Sequence, residues 1–289
     1  MLSYRFIKKI VFGLLLVWLS IYHAMAEQFQ PAITDTQWEV NQSPLFCRLT
    51  QPINDFGHAM FEQKAGGDFS LVFTTYSQPA IEGHIKFQVA QATWQNDIER
   101  HQLSIMKTQT GQMQFKLLGV GARQALNHIN EGRFPIITYT SRHSQQAIHV
   151  LMSTVHLKDY LPKFEQCLAQ LFSHSFEDLQ YLTIHFELEQ SQLGDNEIKA
   201  LQLIVDYLKL DASVTKIQII GHTDNHGKRK LNQILSEARA NSIKQFFLDS
   251  GIEESKLVTL AKLEQKPIKS NKTQQGRAYN RRAEIILFR

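Results

Sequence analysis

Asp224 and Arg239 are an acid and a base that this chain has the means to bring face to face. Asp224 falls in Gly221-His222-Thr223-Asp224-Asn225, directly after the apolar run Ile217 to Ile220. Gly227-Lys228-Arg229-Lys230 then leads into Leu231-Asn232-Gln233-Ile234-Leu235-Ser236-Glu237-Ala238-Arg239-Ala240. In a helix Asn232, Ser236 and Arg239, four and three residues apart, share one face. A strand-end Asp224 opposite that face sets a carboxylate against a guanidinium with polar groups between. Such a site suits a zwitterion: the carboxylate holds an ammonium, and the guanidinium fork holds a carboxylate through two parallel hydrogen bonds. Taken singly, Asp224 is equally an ordinary turn residue, and Arg239 a solvated helix-face charge. His222 has no third metal ligand in view, so it reads as structural, and neither a metal nor another cofactor is expected.

The elements that must position these groups have an alternating rhythm. Strands are expected at 180–187, 216–221, 257–262 and 282–288, and helices at 196–210 and 230–249. The first helix places Ile198, Leu201, Val205 and Leu208 on one face. The second places Leu231, Ile234, Ala238 and Phe246 on one face, so both are expected to cover one side of a sheet. Gly251 supplies a left-handed cap to the second helix.

Three stretches carry a family resemblance: Gly221-His222-Thr223-Asp224-x-x-Gly227; Leu231-Asn232-x-x-Leu235-Ser236-x-Ala238-Arg239-Ala240; and Pro267 followed by Asn271-x-Thr273-x-x-Gly276-Arg277-x-x-Asn280-Arg281-Arg282. Together they resemble the OmpA-like peptidoglycan-binding domain, over roughly residues 178 to 289. The resemblance implies a β-α-β-α-β fold that binds meso-diaminopimelate of the wall's peptide stem, with its ammonium and carboxylate at Asp224 and Arg239. Asn232, Leu235 and Arg281 match further positions that line the groove. Where the family writes G-x-G-E-x-x-P, this chain has Ala261-Lys262-Leu263-Glu264-Gln265-Lys266-Pro267, so both glycines are replaced near the groove.

The rest of the chain differs in kind. Arg5, Lys8 and Lys9 precede an uncharged apolar stretch, Ile10 to Ile21, that ends in Ala24-Met25-Ala26. This reads as a signal peptide over 1–26. As a helix the apolar stretch reaches only about 18 Å, short of a bilayer core of roughly 30 Å. No cysteine stands at the cleavage point to carry lipid, so a soluble periplasmic protein without membrane insertion is expected. Removing the leader leaves 28 Lys+Arg against 27 Asp+Glu. Residues 27–195 hold 11 basic and 17 acidic side chains, and 196–289 hold 17 and 10, a reversal that argues for two domains with different partners. Export also favours a disulfide between the two cysteines, Cys47 and Cys167.

Between those cysteines the pattern has period two, as at 69–73, 84–89, 112–117 and 134–139, with turn signals between. The segment reads as an antiparallel sandwich or barrel closed by a helix over 157–172, with apolar residues at Leu161, Phe164, Leu168 and Leu171. Its apolar runs are too short for an outer-membrane barrel. Gly119-Val120-Gly121 is an isolated G-x-G without a long helix after it, so no nucleotide site is expected. The expected domains are thus a β-rich one at 27–175 and an OmpA-like α/β one at 176–289.

This soluble two-cysteine β-domain, with Gln51-Pro52-Ile53-Asn54-Asp55-Phe56-Gly57-His58-Ala59-Met60-Phe61 early and Gly132-Arg133-Phe134-Pro135 late, resembles the MotY family of flagellar T-ring components. That resemblance implies docking of the N-terminal domain on the basal body and a MotX partner, and attachment of the ring to the cell wall around the stators. A wall-anchored envelope protein unrelated to motility is the alternative. Nucleic acid is not an expected partner. Catalysis finds no support: Ser213-Val214-Thr215-Lys216 matches S-x-x-K without S-x-N or K-T-G, and there is no H-E-x-x-H or G-x-S-x-G.

Overall fold

The computed structural model describes residues 27–91 and 100–289; the leader read at 1–26 lies outside them. Ten strands come first: β1 (Glu27–Phe29), β2 (Glu39–Ser43), β3 (Phe46–Ile53), β4 (Gly57–Lys64), β5 (Ser70–Thr75), β6 (Gly83–Ala90), β7 (Arg100–Thr108), β8 (Gln114–Leu118), β9 (Phe134–Thr140) and β10 (Ala147–Leu151). They form two five-stranded sheets, ordered β1-β10-β9-β6-β7 and β2-β3-β4-β5-β8. β10 with β9, β9 with β6, β6 with β7, β4 with β5 and β5 with β8 pair antiparallel, and β1 lies parallel to β10.

Period-two residues on the inner faces interlock the sheets. Phe73 of β5 meets Phe87 of β6 with ring centroids 6.4 Å apart, and Phe115 of β8 meets Tyr139 of β9 at 4.4 Å. All four rings are buried, the arrangement of a sandwich rather than a barrel. The sequence concealed one helix, α1 (Gly119–Asn130). Gly119, at φ +58°, turns the chain out of β8, and the helix buries Ala122, Ala125 and Ile129. Two of those contacts are alanines, which give little apolar periodicity to read.

A second helix, α2 (Leu157–Gln170), buries Leu157, Leu161 and Phe164, and carries Cys167. Cys167 is bonded to Cys47 of β3, with Cα atoms 5.9 Å apart. The described residues divide into two compact units, with 42–47, 63–68 and 165–289 in one and the others in the second. The disulfide lies wholly within the former.

That unit continues through α3 (Phe176–Leu179), β11 (Tyr181–His185), α4 (Asp195–Leu210), β12 (Lys216–His222), α5 (Arg229–Asp249), β13 (Leu257–Leu263), α6 (Gln274–Asn280) and β14 (Arg282–Phe288). Its sheet runs β11-β14-β12-β13, with β12 parallel to β13 and β14 antiparallel to β11 and β12. Leu201, Ile204 and Val205 of α4 share one core with Ala240, Ile243 and Phe247 of α5 and with Ile217, Ile219, Ile285 and Leu287 of the sheet. Gly251, at φ +86°, ends α5 as expected, its N–H donating to Leu248 O.

The face of α5 departs from the apolar pattern. Leu231 and Ile234 are 59% and 55% exposed, while Asn232, Ser236 and Arg239 point inward. Ile198 of α4 is also exposed. The cause for α5 is a close approach at Gly221 of β12, where an added Cβ would lie 1.9 Å from Ser236 O. The helix backbone rests on that glycine, which fixes Ser236, and with it Asn232 and Arg239, toward the sheet.

The disulfide closes a loop of 120 residues. In the chain-entropy treatment it stabilises the fold by about 5 kcal/mol. Urea unfolding with and without reductant is expected to show a large loss on reduction, and thiol titration of the denatured, unreduced protein is expected to find none. Two titratable thiols without reductant would contradict the bond.

Candidate functional site

The end of β12 delivers Gly221 under α5 and carries the chain into His222, Thr223 and Asp224, all buried. Asp224 Oδ1 accepts from His226 N at 3.0 Å, an Asx-type turn that aims the carboxylate. Its Oδ2 accepts from Arg281 Nη1 at 3.3 Å. Arg281, at the junction of α6 and β14, also donates from Nε to Phe186 O at 3.2 Å. Asn232, in the first turn of α5, donates from Nδ2 to Asp224 O at 3.4 Å and ties the helix start to the strand end.

Arg239 is fully buried, unlike a solvated helix-face charge. Its Nε donates to Gln190 O at 2.9 Å, Nη1 to His222 O at 2.8 Å and Nη2 to Glu187 O at 3.2 Å. A guanidinium has five N–H groups, so one on each Nη is left without an acceptor among the described residues. The guanidinium also stands 5.2 Å from the Phe186 ring centroid. Burial, with Arg281 as a like charge beside it, lowers the Arg239 pKa to about 10 against the opposing pull of Asp224. It remains a cation at neutral pH.

All five side chains proposed from the motifs, Asp224, Asn232, Leu235, Arg239 and Arg281, line one cavity of about 390 Å³. Two guanidiniums therefore share it with the Asp224 and Glu189 carboxylates, and Leu188, Leu231 and Leu235 give it apolar walls. The arrangement offers a carboxylate for an ammonium, guanidinium N–H groups for a carboxylate and aliphatic surface for the chain between them. The carboxylate's direct partner is Arg281; the sequence pattern had set it opposite Arg239. The segment 187–190 also went unread. It contributes Leu188 and Glu189 to the cavity and its backbone carbonyls to Arg239, and carbonyls leave no trace in residue types.

Ser213 of the S-x-x-K match lies in the turn before β12. Its hydroxyl donates to Asp211 Oδ1 at 2.6 Å. Burial alone would raise the Asp211 pKa, but hydrogen bonds from Ser213, Tyr207 and Arg289 outweigh it and hold the group at about 2. The serine is thus hydrogen-bonded to a carboxylate that stays ionised and is held at about 2, a weak base.

Comparison with known proteins assigns each half of the chain a counterpart. The MotY N-terminal domain family matches residues 29–173, and the OmpA family matches 185–281. The chain is similar to the sodium-type flagellar protein MotY of Vibrio parahaemolyticus, 29% identical over 272 residues that cover 93% of this chain and 92% of that one. It is 46% identical over 100 residues to outer membrane protein A of Bordetella avium, covering 35% of this chain and 51% of that protein, about half its length. Among solved structures, the cell wall anchor of the T6SS from Pseudomonas aeruginosa is 26% identical, covering 37% of this chain and 80% of that one, with a TM-score of 0.33.

His222 links the cavity to a polar cluster. Its backbone carbonyl serves Arg239, while its ring is buried with Nε2 3.6 Å from Glu284 Oε1. Burial, then the neighbouring Arg282, pushes its pKa down to about 4 despite the attraction of Glu284; Lys262 adds to the lowering. No group of residues able to hold a metal ion occurs among the described residues. The unfolded chain takes up this proton near pH 6.5, and the folded one only near 4. Stability is therefore expected to fall as pH drops through that window, by at most about 3 kcal/mol. Urea titrations at pH 7, 5.5 and 4 check this: His222→Gln is expected to flatten the dependence, and an unchanged slope would contradict it.

Proposed function

Because the chain belongs to the MotY N-terminal domain family and carries an OmpA-family domain over residues 185–281, we propose that it is a non-enzymatic periplasmic anchor of the flagellar motor. In this reading the OmpA-family domain grips peptidoglycan. The β-domain docks on the basal body and a MotX-like partner as part of a T ring, and so supports the stators indirectly.

The observation that carries wall binding is the cavity's charge balance. Arg239 has Arg281 beside it as a like charge, and Asp224 and Glu189 bring two carboxylates to the same lining. A guest with one ammonium and one carboxylate leaves that balance unchanged and gives each charge a partner, and a diaminopimelate centre in a peptide stem supplies both groups on an aliphatic chain. Asp224 would take the ammonium on the lone pairs that His226 and Arg281 leave open. The free N–H groups of Arg239, together with Arg281, would take the carboxylate. Leu188, Leu231 and Leu235 would pack on the methylenes.

Asp224→Asn preserves the shape and the bond from His226 but removes the charge. Sedimentation with purified peptidoglycan is expected to weaken about tenfold or more, the worth of one charge-assisted hydrogen bond. Unchanged sedimentation would contradict the site. Arg239→Ala is a different experiment, because it removes the side-chain donor from three carbonyls, of which Glu187 O keeps Gln190 N, and opens a hole beneath 187–190. It is expected to lower stability by about 3 kcal/mol or more in urea unfolding, whatever it does to binding. For the motor, a deletion strain is expected to lose swimming and regain it with the wild-type chain, and normal swimming would favour an envelope role unrelated to motility.

A further inference from the structure

A second, larger cleft lies beside the cavity, on the other side of the segment 187–190. It measures about 880 Å³, and Arg281 lines both spaces. Successive residues of the dividing segment face different sides: Glu187 and Gln190 line the larger cleft, Leu188 and Glu189 the smaller. The carbonyls that hold this partition to Arg239 belong to Glu187 and Gln190. The partition is thus a rigid wall shared by two neighbouring pockets.

The walls of the larger cleft have a particular chemistry. Gln190, Gln192 and Gln275 present three primary amides, all exposed and each both donor and acceptor. Tyr279 stands among them, 42% exposed, its ring set at 89° to His185 with centroids 5.7 Å apart. Among the described residues Arg281 of the lining is already paired with Asp224, Lys269 Nζ stands 5.9 Å from the Tyr279 ring centroid, and Glu187 and Glu197 offset it with negative charge, so a polyanion is disfavoured. Neutral amides around an aromatic plate suit a neutral ligand rich in hydroxyl and acetamido groups: the amides pair with those groups, and the ring face packs on sugar C–H bonds.

We infer that this cleft binds the N-acetylated amino-sugar glycan of the wall, while the smaller cavity holds the peptide stem of the same polymer. The inference rests on the wall-binding reading and extends it from the stem to the strand. Two adjoining weak sites on one rigid partition raise the effective concentration of each ligand part for the other. Tyr279, Gln192 and Gln275 are the glycan contacts, and none of them lines the smaller cavity.

The test uses the mature chain and two probes titrated separately: glycan strands stripped of stems by an amidase, and the released diaminopimelate-containing stem peptides. Wild type is expected to bind both. Tyr279→Ala is expected to weaken the stripped glycan about fivefold or more, with stem affinity unchanged and the same unfolding midpoint. Gln275→Ala is expected to act in the same direction. No binding of stripped glycan by wild type, glycan binding indifferent to both substitutions, or equal loss of both probes in Tyr279→Ala would overturn the inference. A wild-type chain that binds stripped glycan but not stem peptide would overturn the reading of the smaller cavity and leave this one standing.

Discussion

A guanidinium removed from water must find acceptors within the protein, and Arg239 finds them in three places at once: Glu187 O and Gln190 O after β11, and His222 O at the end of β12. Glu187 O also accepts from Gln190 N at 3.1 Å, so the segment after β11 is held both by its own turn and by the guanidinium. One side chain thereby fixes a loop, a strand end and the middle of α5. The cavity has its shape because this cation is in place, and the cation stays in place because Gly221 lets α5 settle onto β12. Any side chain at 221 would lift the helix and withdraw Arg239 from its acceptors.

The same constraint explains why the inward face of α5 changes character along its length. Toward the C-terminus it buries Ala240, Ile243 and Phe247 in the apolar core; toward the N-terminus it buries Asn232, Ser236 and Arg239. A helix that buried Leu231 and Ile234 instead would gain hydrophobic stabilisation and lose the cavity. Those residues remain at the surface, with Leu231 at the cavity rim. Local departure from the apolar pattern is what the cavity costs, and the core farther along the helix offsets it.

This accounts for what could be read before the structure was known. Strands β11 to β14 and helices α4 and α5 were legible, within one or two residues at most ends, because each buries a face and so carries a period. The five cavity residues were legible as a set, because their motifs keep strand end, helix start and last loop in register. What escaped has no side-chain signature. The anchoring of Arg239 runs to backbone carbonyls, α6 is seven residues long, and α1 hides its buried face in alanines. The α5 face was misread because the glycine that rotates it lies in a different element.

The charge asymmetry between the two parts of the chain also takes a different meaning once burial is known. Residues 196–289 carry 17 basic side chains against 10 acidic ones, which invites a picture of a diffusely positive surface. Three of those cations are withdrawn from it. Arg282 is buried and paired with Glu284, Arg281 is largely buried and paired with Asp224, and Arg239 is buried against neutral carbonyls alone. Among them only Arg239 lacks an anionic partner. A surface excess of charge is screened within a Debye length of about 10 Å at ordinary salt, whereas a cation inside a cavity is screened far less. The charge that would select a carboxylate is therefore carried by the guanidiniums inside the cavity, and the surface excess contributes at most an approach toward an anionic polymer.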